Sequence, residues 1–397
     1  MTSQRTPPHF ITLVILTGFS PMSLNMFLPS LTEIANDLAT TYATASLAVS
    51  GYLAVTALLQ LFVGPISDRI GRRPVILWAL LIFVFASIGC ALAENIEAFL
   101  FFRMLQSGGV AGYTLSLAIV RDTRPEREAV SLIGYIGMAM AIAPMLAPML
   151  GGIIASHFGW RAIFLVYATI SFGLLIACYF DLGETRIRSG QPIQSVFAGT
   201  LALLKEPIFC SYALCGTFSV GTFYVFVTGA PLIAKTTFEM TATEIGVSIG
   251  SMTVGYMMGG LIAGRFGKQT TPYVIMIAGR VVACIGIASA LVVFGLGLST
   301  PLVLLGAAIL SGAGNGMALP GSNAGAMSVR PDLSGTAAGL IGALIVAVGA
   351  IITAFTGPMI AAVPNPHMLF SLMLVTALLS LLSAVWTRHL KRTSDVG

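Results

Sequence analysis

The chain is apolar almost without pause from Phe10 to Trp386, and roughly eleven short polar breaks cut the run. Hydrophobic residues make up 56% and charged residues 9% of the chain, with mean hydropathy +0.93. A soluble domain carries about 45–50% apolar and about 25% charged residues. No water-solvated core needs that much apolar surface, so the chain is expected to be solvated by lipid. A bilayer core of about 30 Å takes about 20 apolar residues per spanning helix. About twelve such stretches can be drawn: 10–31, 45–67, 75–94, 98–120, 129–155, 162–181, 208–234, 243–266, 274–297, 302–326, 334–362 and 368–386. Alternating ten-residue strands of the barrel type do not occur, so the class is all-α integral membrane. Arg5 precedes the first segment and no small-residue cleavage site follows it, which reads as an uncleaved spanning helix.

Charge placement fixes an expected orientation. With both termini cytoplasmic, sixteen of the twenty Lys and Arg fall on the inner side, and the outer loops keep only Arg161 and Lys235. This is the positive-inside bias. It accounts for the net charge of +5 without a nucleic-acid partner. The five cysteines, Cys90, Cys178, Cys210, Cys215 and Cys284, lie inside apolar segments without metal-ligand spacing, so they read as small buried hydrophobes. Neither a metal nor a cofactor is expected.

The longest polar interruption, 182–207, divides the chain into an expected six-helix bundle over 1–181, a cytoplasmic linker, and a second six-helix bundle over 208–397. The halves echo each other. Gly64-Pro-Ile-Ser-Asp68-Arg69-Ile-Gly71-Arg72-Arg73 ends the second segment, and Gly260-Leu-Ile-Ala-Gly264-Arg265-Phe-Gly267-Lys268 ends the eighth, 196 positions later. Ser107-Gly108-x-x-x-Gly112 in the fourth segment matches Ser311-Gly312-x-x-x-Gly316 in the tenth. Duplicated halves around a midplane site are how many secondary transporters are built.

The Gly64-x-x-x-Asp68-Arg69-x-Gly71-Arg72-Arg73 loop needs φ > 0 at Gly71, and Asp68 and Arg72 stand four apart, within pairing reach. It resembles the signature loop of the major facilitator superfamily, and the resemblance spans the whole chain. It implies two six-helix bundles related by pseudo-twofold symmetry. It also makes this loop a conformational latch that includes Asp122 of Val120-Arg121-Asp122. The fifth segment carries Gly134-x-x-Gly137 and then Ala143-Pro144-Met145-Leu146-Ala147-Pro148-Met149-Leu150-Gly151-Gly152. Its prolines and Gly pair should bend the helix and admit a close neighbour. This run resembles the antiporter motif of the drug-exporting branch, formed here by Pro144, Pro148, Gly151 and Gly152. Phe19-Ser20-Pro21, Met26-Phe27-Leu28-Pro29 and Gly159-Trp160-Arg161 bring the likeness nearest to Bcr/CflA-type exporters. Arg103-x-x-Gln106-x-Gly108 resembles the family's fourth-helix motif, whose Arg faces the central cavity and influences proton binding. By depth alone Arg103 could equally snorkel, and Arg280 reads as a snorkelling residue near the inner end of the ninth segment.

One departure bears on function. Exporters of this type usually carry a membrane-embedded acid just before the Met-Phe/Tyr-Leu-Pro run, and here that position is Asn25, which cannot titrate. All fifteen acids fall in or beside loops; Glu33 and Asp37 are nearest, two and three turns beyond Asn25. A site with Arg103 and no acid should be electropositive and favour neutral or anionic compounds over lipophilic cations. Proton coupling then falls to Glu33, Asp37 or the surroundings of Arg103. Substrate-lining candidates, by helix face, are Met22, Asn25, Arg103, Gln106, Tyr113, Met138, Met145, Phe223, Tyr224, Phe226, Asn315 and Asn323. Met and aromatic side chains suit a promiscuous apolar site, though any single one of them reads better as helix packing.

The leading expectation is a bacterial inner-membrane exporter of small amphipathic compounds, a proton antiporter working by rocker-switch alternating access as a monomer in the lipid bilayer. The alternative is a carrier of an anionic or neutral metabolite without proton coupling at position 25. A membrane enzyme would need a nucleophile–base pair or metal cluster inside the helices, and none is placed there.

Overall fold

A computed structural model describes residues 8–123, 146–185, 193–266, 270–298, 300–330 and 333–394, with Leu132, Ile136 and Ala143. Among these residues ten helices are long and apolar enough to cross a membrane. They coincide with ten of the twelve expected segments. The fourth segment is helical as well, built from α5 (Ile96–Leu105), a 3-10 turn over Gln106–Gly109, and α6 (Val110–Thr123). Of the fifth segment only the end, α7 (Leu146–Phe158), is described. Met138, Pro144 and Met145 lie outside the described residues. Contacts divide the chain into two compact units, Met1–Gly190 and Gln191–Gly397.

The first unit begins with α1 (Phe10–Asn25), which stops far short of the 10–31 expected. A 3-10 turn over Leu28–Ser30 and a short α2 (Leu31–Asp37) continue the segment. The break has a local cause, because Pro29 has no N–H to offer the Asn25 carbonyl and its ring obstructs the preceding turn. Then come α3 (Tyr42–Ile70), α4 (Arg72–Leu92), α5, α6, α7 and α8 (Trp160–Asp181). The start of α1 is tied to the end of α8, since the His9 N–H donates to the Asp181 carboxylate at 3.0 and 3.1 Å. The core of the unit is aromatic. Phe164 meets Phe99, Trp160 and Tyr167 edge-on with centroids 5.4–5.9 Å apart, and Phe19 meets Phe83 at 4.8 Å. Lipid is as apolar as these rings, so specific packing rather than burial alone holds them together.

The second unit opens with a difference from expectation. Within the polar stretch 182–207, α9 (Ile193–Leu204) is helical. Its sequence is apolar, and Leu203 is fully buried in a cluster with Phe209, Tyr212, Met276 and Ile341. The remaining helices are α10 (Pro207–Phe238), α11 (Ala242–Phe266), α12 (Pro272–Gly295), α13 (Pro301–Val329), α14 (Ser334–Ala362) and α15 (Pro366–Ser394).

Glycines set the α11–α13 packing. A Cβ on Gly312 or Gly316 of α13 would overlap the Met252 or Tyr256 carbonyl of α11. One on Gly255 or Gly259 of α11 would in turn overlap the Ile309 or Ala313 carbonyl of α13. The Ser311-Gly312-x-x-x-Gly316 motif is therefore one side of a reciprocal small-residue contact. Its counterpart in the first unit packs differently. Gly108 sits in the 3-10 turn with open space where a Cβ would go, and Gly112 abuts Leu16 of α1.

Candidate functional site

The break in α1 organises the polar interior of the first unit. A continued helix would give the Ser23 carbonyl the Phe27 N–H. With α1 ending at Asn25, that carbonyl instead accepts Arg103 Nη2 at 3.0 Å and the Tyr167 hydroxyl at 3.1 Å. Arg103 Nη1 donates to Gln106 Oε1 at 2.6 Å, and Gln106 Nε2 donates to Ser87 Oγ at 2.8 Å. Ser87 passes the chain on to the Phe83 carbonyl at 2.7 Å. The guanidinium lies between two rings, 4.4 Å from the Phe27 centroid and 4.2 Å from the Tyr52 centroid. Tyr52 is itself fixed by Ser23 Oγ at 3.0 Å. Arg103 is 0% exposed, so it does not snorkel; an amide, a carbonyl and ring faces hold the charge, and among the described residues no carboxylate is bonded to it.

Asn25 sits at the end of α1, buried, with Nδ2 donating to the Pro21 carbonyl at 2.7 Å. Its Oδ1 is buried with no donor among the described residues. An acid in this place would have no proton-donating partner within the unit's described hydrogen bonds. An amide carries no charge, so the site demands less. Met22 and Tyr113 are half-buried.

The two carboxylates nearest in sequence lie elsewhere. Glu33 and Asp37 are exposed on α2. Asp37 forms an ion pair with Arg161 and accepts the Trp160 indole N–H at 3.2 Å. Arg161 also donates to the Ala93 carbonyl at 3.1 Å and covers the Trp160 ring at 4.3 Å. Gly159-Trp160-Arg161 thus clasps the ends of α2, α4 and α8.

At the signature loop Gly71 has φ +113° between α3 and α4, the left-handed region that the short turn demands. The Glu184 carboxylate packs where a Gly71 Cβ would be and accepts the Arg72 N–H at 3.0 Å, capping α4. Arg73 Nη2 donates to the Tyr179 carbonyl at 2.7 Å. Glu184 was not singled out in the sequence, and nothing in its spacing marks it. Gly64 and Asp68 belong to α3, Arg69 is exposed, and Asp122 belongs to α6. On α7, Pro148 and Gly151 are buried, and a Cβ on Gly151 would overlap the Met26 carbonyl, so α7 crosses the broken end of α1 in backbone contact. Gly152 is buried beside it.

The second unit corrects the expectation for Arg280. The residue does not snorkel but is 0% exposed on α12, and its Nη1 donates to Asn315 Oδ1 of α13 at 2.8 Å. Ser219 Oγ of α10 donates to the same oxygen at 2.9 Å. Depth along the helix suggested an exit to the membrane face, but α10 and α13 close over the side chain. The amide partner expected for Asn315 is therefore a cation, whereas Asn323 Oδ1 meets no donor among the described residues. Phe226 is fully buried, Tyr224 is buried, and Phe223 is half-buried with its ring 5.8 Å from that of Tyr224. Among the described residues no three His, Cys, Asp or Glu side chains cluster as metal ligands would.

Long apolar helices whose interiors hold cations on amides and carbonyls define a polytopic α-helical membrane protein. Residues 13–352 match the family model of the Major Facilitator Superfamily. An uncharacterized MFS-type transporter of Bacillus subtilis is 31% identical over 87% of each chain. A chloramphenicol resistance protein of Pseudomonas aeruginosa is 33% identical over 66% of this chain and 62% of its own length. The multidrug resistance protein MdtL of Escherichia coli is 34% identical over 60% and 61%. Among solved structures, a bacterial homolog of the human lysosomal transporter Spinster superposes with TM-score 0.79 at 15% identity, covering 97% of this chain and 96% of its own. A D-xylose-proton symporter gives 0.78 at 17%, covering 95% and 96%. The chain belongs to the major facilitator superfamily, with the all-helical fold of that family, and is a multi-pass membrane transporter of small molecules rather than an enzyme.

Proposed function

We propose that this transporter exports small amphipathic compounds across a bacterial inner membrane, both termini cytoplasmic, acting as a monomer by alternating access of its two six-helix halves. Drug-resistance relatives and the backbone contact of Gly151 with the broken end of α1 support this reading. The observation that carries its particular form is the α1 break itself. There Asn25 stands where the resemblance to drug exporters implies an acid, and among the described hydrogen bonds Arg103 is held by Ser23 and Gln106 with no carboxylate. The substrate pathway is accordingly electropositive or neutral, and flux of neutral compounds exceeds that of lipophilic cations.

Proton antiport, on this reading, runs through Glu33, Asp37 or the surroundings of Arg103. The alternative, an uncoupled carrier of an anionic or neutral metabolite, draws on the same Asn25. Purified protein in proteoliposomes with an imposed pH gradient separates the two. Substrate-dependent change of internal pH is expected for the antiporter. Flux without proton movement supports the uncoupled carrier, and no flux of any compound under any gradient refutes both.

A further inference from the structure

The two buried arginines differ in what they leave free. Arg103 spends Nη1 on Gln106 and Nη2 on Ser23, two rings cover its faces, and of its nitrogens only Nε meets no acceptor among the described residues. Arg280 spends only Nη1, on Asn315. Its Nε and Nη2 are both buried and meet no acceptor among the described residues. These two nitrogens form one edge of the guanidinium, with parallel N–H bonds at the spacing of the two oxygens of a carboxylate.

The edge is held in place. Asn315 Oδ1 takes Arg280 Nη1 and the Ser219 hydroxyl together, which fixes the amide and leaves the Nε–Nη2 side as the unspent one. Close backbone approach puts the partners in reach, because a Cβ on Gly279 of α12 would stand 2.7 Å from the Gly314 carbonyl of α13. Among the described residues no carboxylate is bonded to Arg280. A cation buried at membrane depth without an acid is expensive, and such residues mark substrate or ion sites.

We infer that the Nε–Nη2 edge of Arg280 binds the carboxylate of an anionic amphipathic substrate. This rests on the exporter reading and narrows it to compounds with an apolar body and a carboxylate. Asn315 and Ser219 act as positioning residues that aim the guanidinium.

The test uses two compounds with one body, chloramphenicol and its hemisuccinate ester, which adds a carboxylate. Binding to the purified full-length protein is followed by thermal shift. The hemisuccinate is expected to bind about tenfold more tightly than the parent. Arg280→Met should abolish that preference, and Arg280→Lys, a point charge without the paired edge, should keep only part of it. Equal binding of the two compounds by the unaltered protein overturns the assignment, as does failure of the hemisuccinate to bind or a full preference surviving in either variant. Because the first comparison needs no variant, a misfolded Arg280→Met leaves it decisive. Parent binding with no carboxylate preference would remove Arg280 from the site and leave the exporter reading standing.

Discussion

Arg103 and Gln106 lie one helical turn apart, their side chains 2.6 Å from each other, and both are 0% exposed. The turn between them is where α5 tightens into the 3-10 segment Gln106–Gly109. Gln106 is the only side chain that accepts from the guanidinium among the described hydrogen bonds, and it is braced in turn by Ser87. Gln106→Leu should therefore strand Nη1 of a buried cation and destabilise the protein by about 1–3 kcal/mol. Ser87→Ala should cost less, about 0.5–1.5 kcal/mol, since the bonds it removes, to Gln106 and to the Phe83 carbonyl, join neutral groups. Thermal unfolding in detergent checks the order of the two.

The matched glycine motifs should respond differently to the same change. Gly312→Ala drives a methyl into the Met252 carbonyl and should cost about 1–3 kcal/mol, with a lower unfolding temperature. Gly108→Ala meets open space and should stay within about 0.5 kcal/mol of the parent. Equal effects at the two sites would contradict the packing described for α11 and α13.

The signature loop depends on Glu184. Glu184→Ala should lose the cap on the Arg72 N–H and about 0.5–2 kcal/mol with it. Gly71→Ala should cost about 1–3 kcal/mol, because the residue must hold φ +113° against the Glu184 carboxylate. Unfolding temperatures of the two single variants and the double variant show whether the losses share one origin.

The Asp37–Arg161 pair is about two-fifths exposed on each side, so its strength is modest. A double-mutant cycle of Asp37→Asn and Arg161→Gln should give a coupling of about 0.2–1 kcal/mol. Proton-coupled flux should fall in whichever of Asp37→Asn and Glu33→Gln removes the coupling carboxylate, and loss in neither moves that role to the surroundings of Arg103.

Much of the fold was legible because lipid solvation imposes a single rule, about 20 apolar residues per crossing. Hydropathy therefore located the spans, and Gly71 and Gly151 announced a positive φ and a close approach. What hydropathy cannot read is which side of a helix its neighbours cover. Arg280 stands eight residues into α12, a depth from which a long side chain reaches the interface, yet α10 and α13 enclose it. The break of α1 at Asn25 was hidden inside an unbroken apolar run, although Pro29 supplies its cause. Helix α9 was hidden the other way, because the charges around 182–207 masked its apolar stretch. Glu184 left no trace, since capping a helix from a distant loop has no spacing rule.

The proposed function turns on Asn25 in place of an acid, and Asn25→Asp in proteoliposomes is the direct test. Flux of a lipophilic cation, a neutral compound and an anionic compound would be compared in the parent and the variant under one pH gradient. The parent is expected to carry neutral or anionic compounds in preference to the cation. The variant should lose anionic flux and gain cationic flux, as it adds a negative charge at the α1 break. An unchanged substrate range in Asn25→Asp would contradict the claim that charge at the α1 break sets what this protein carries.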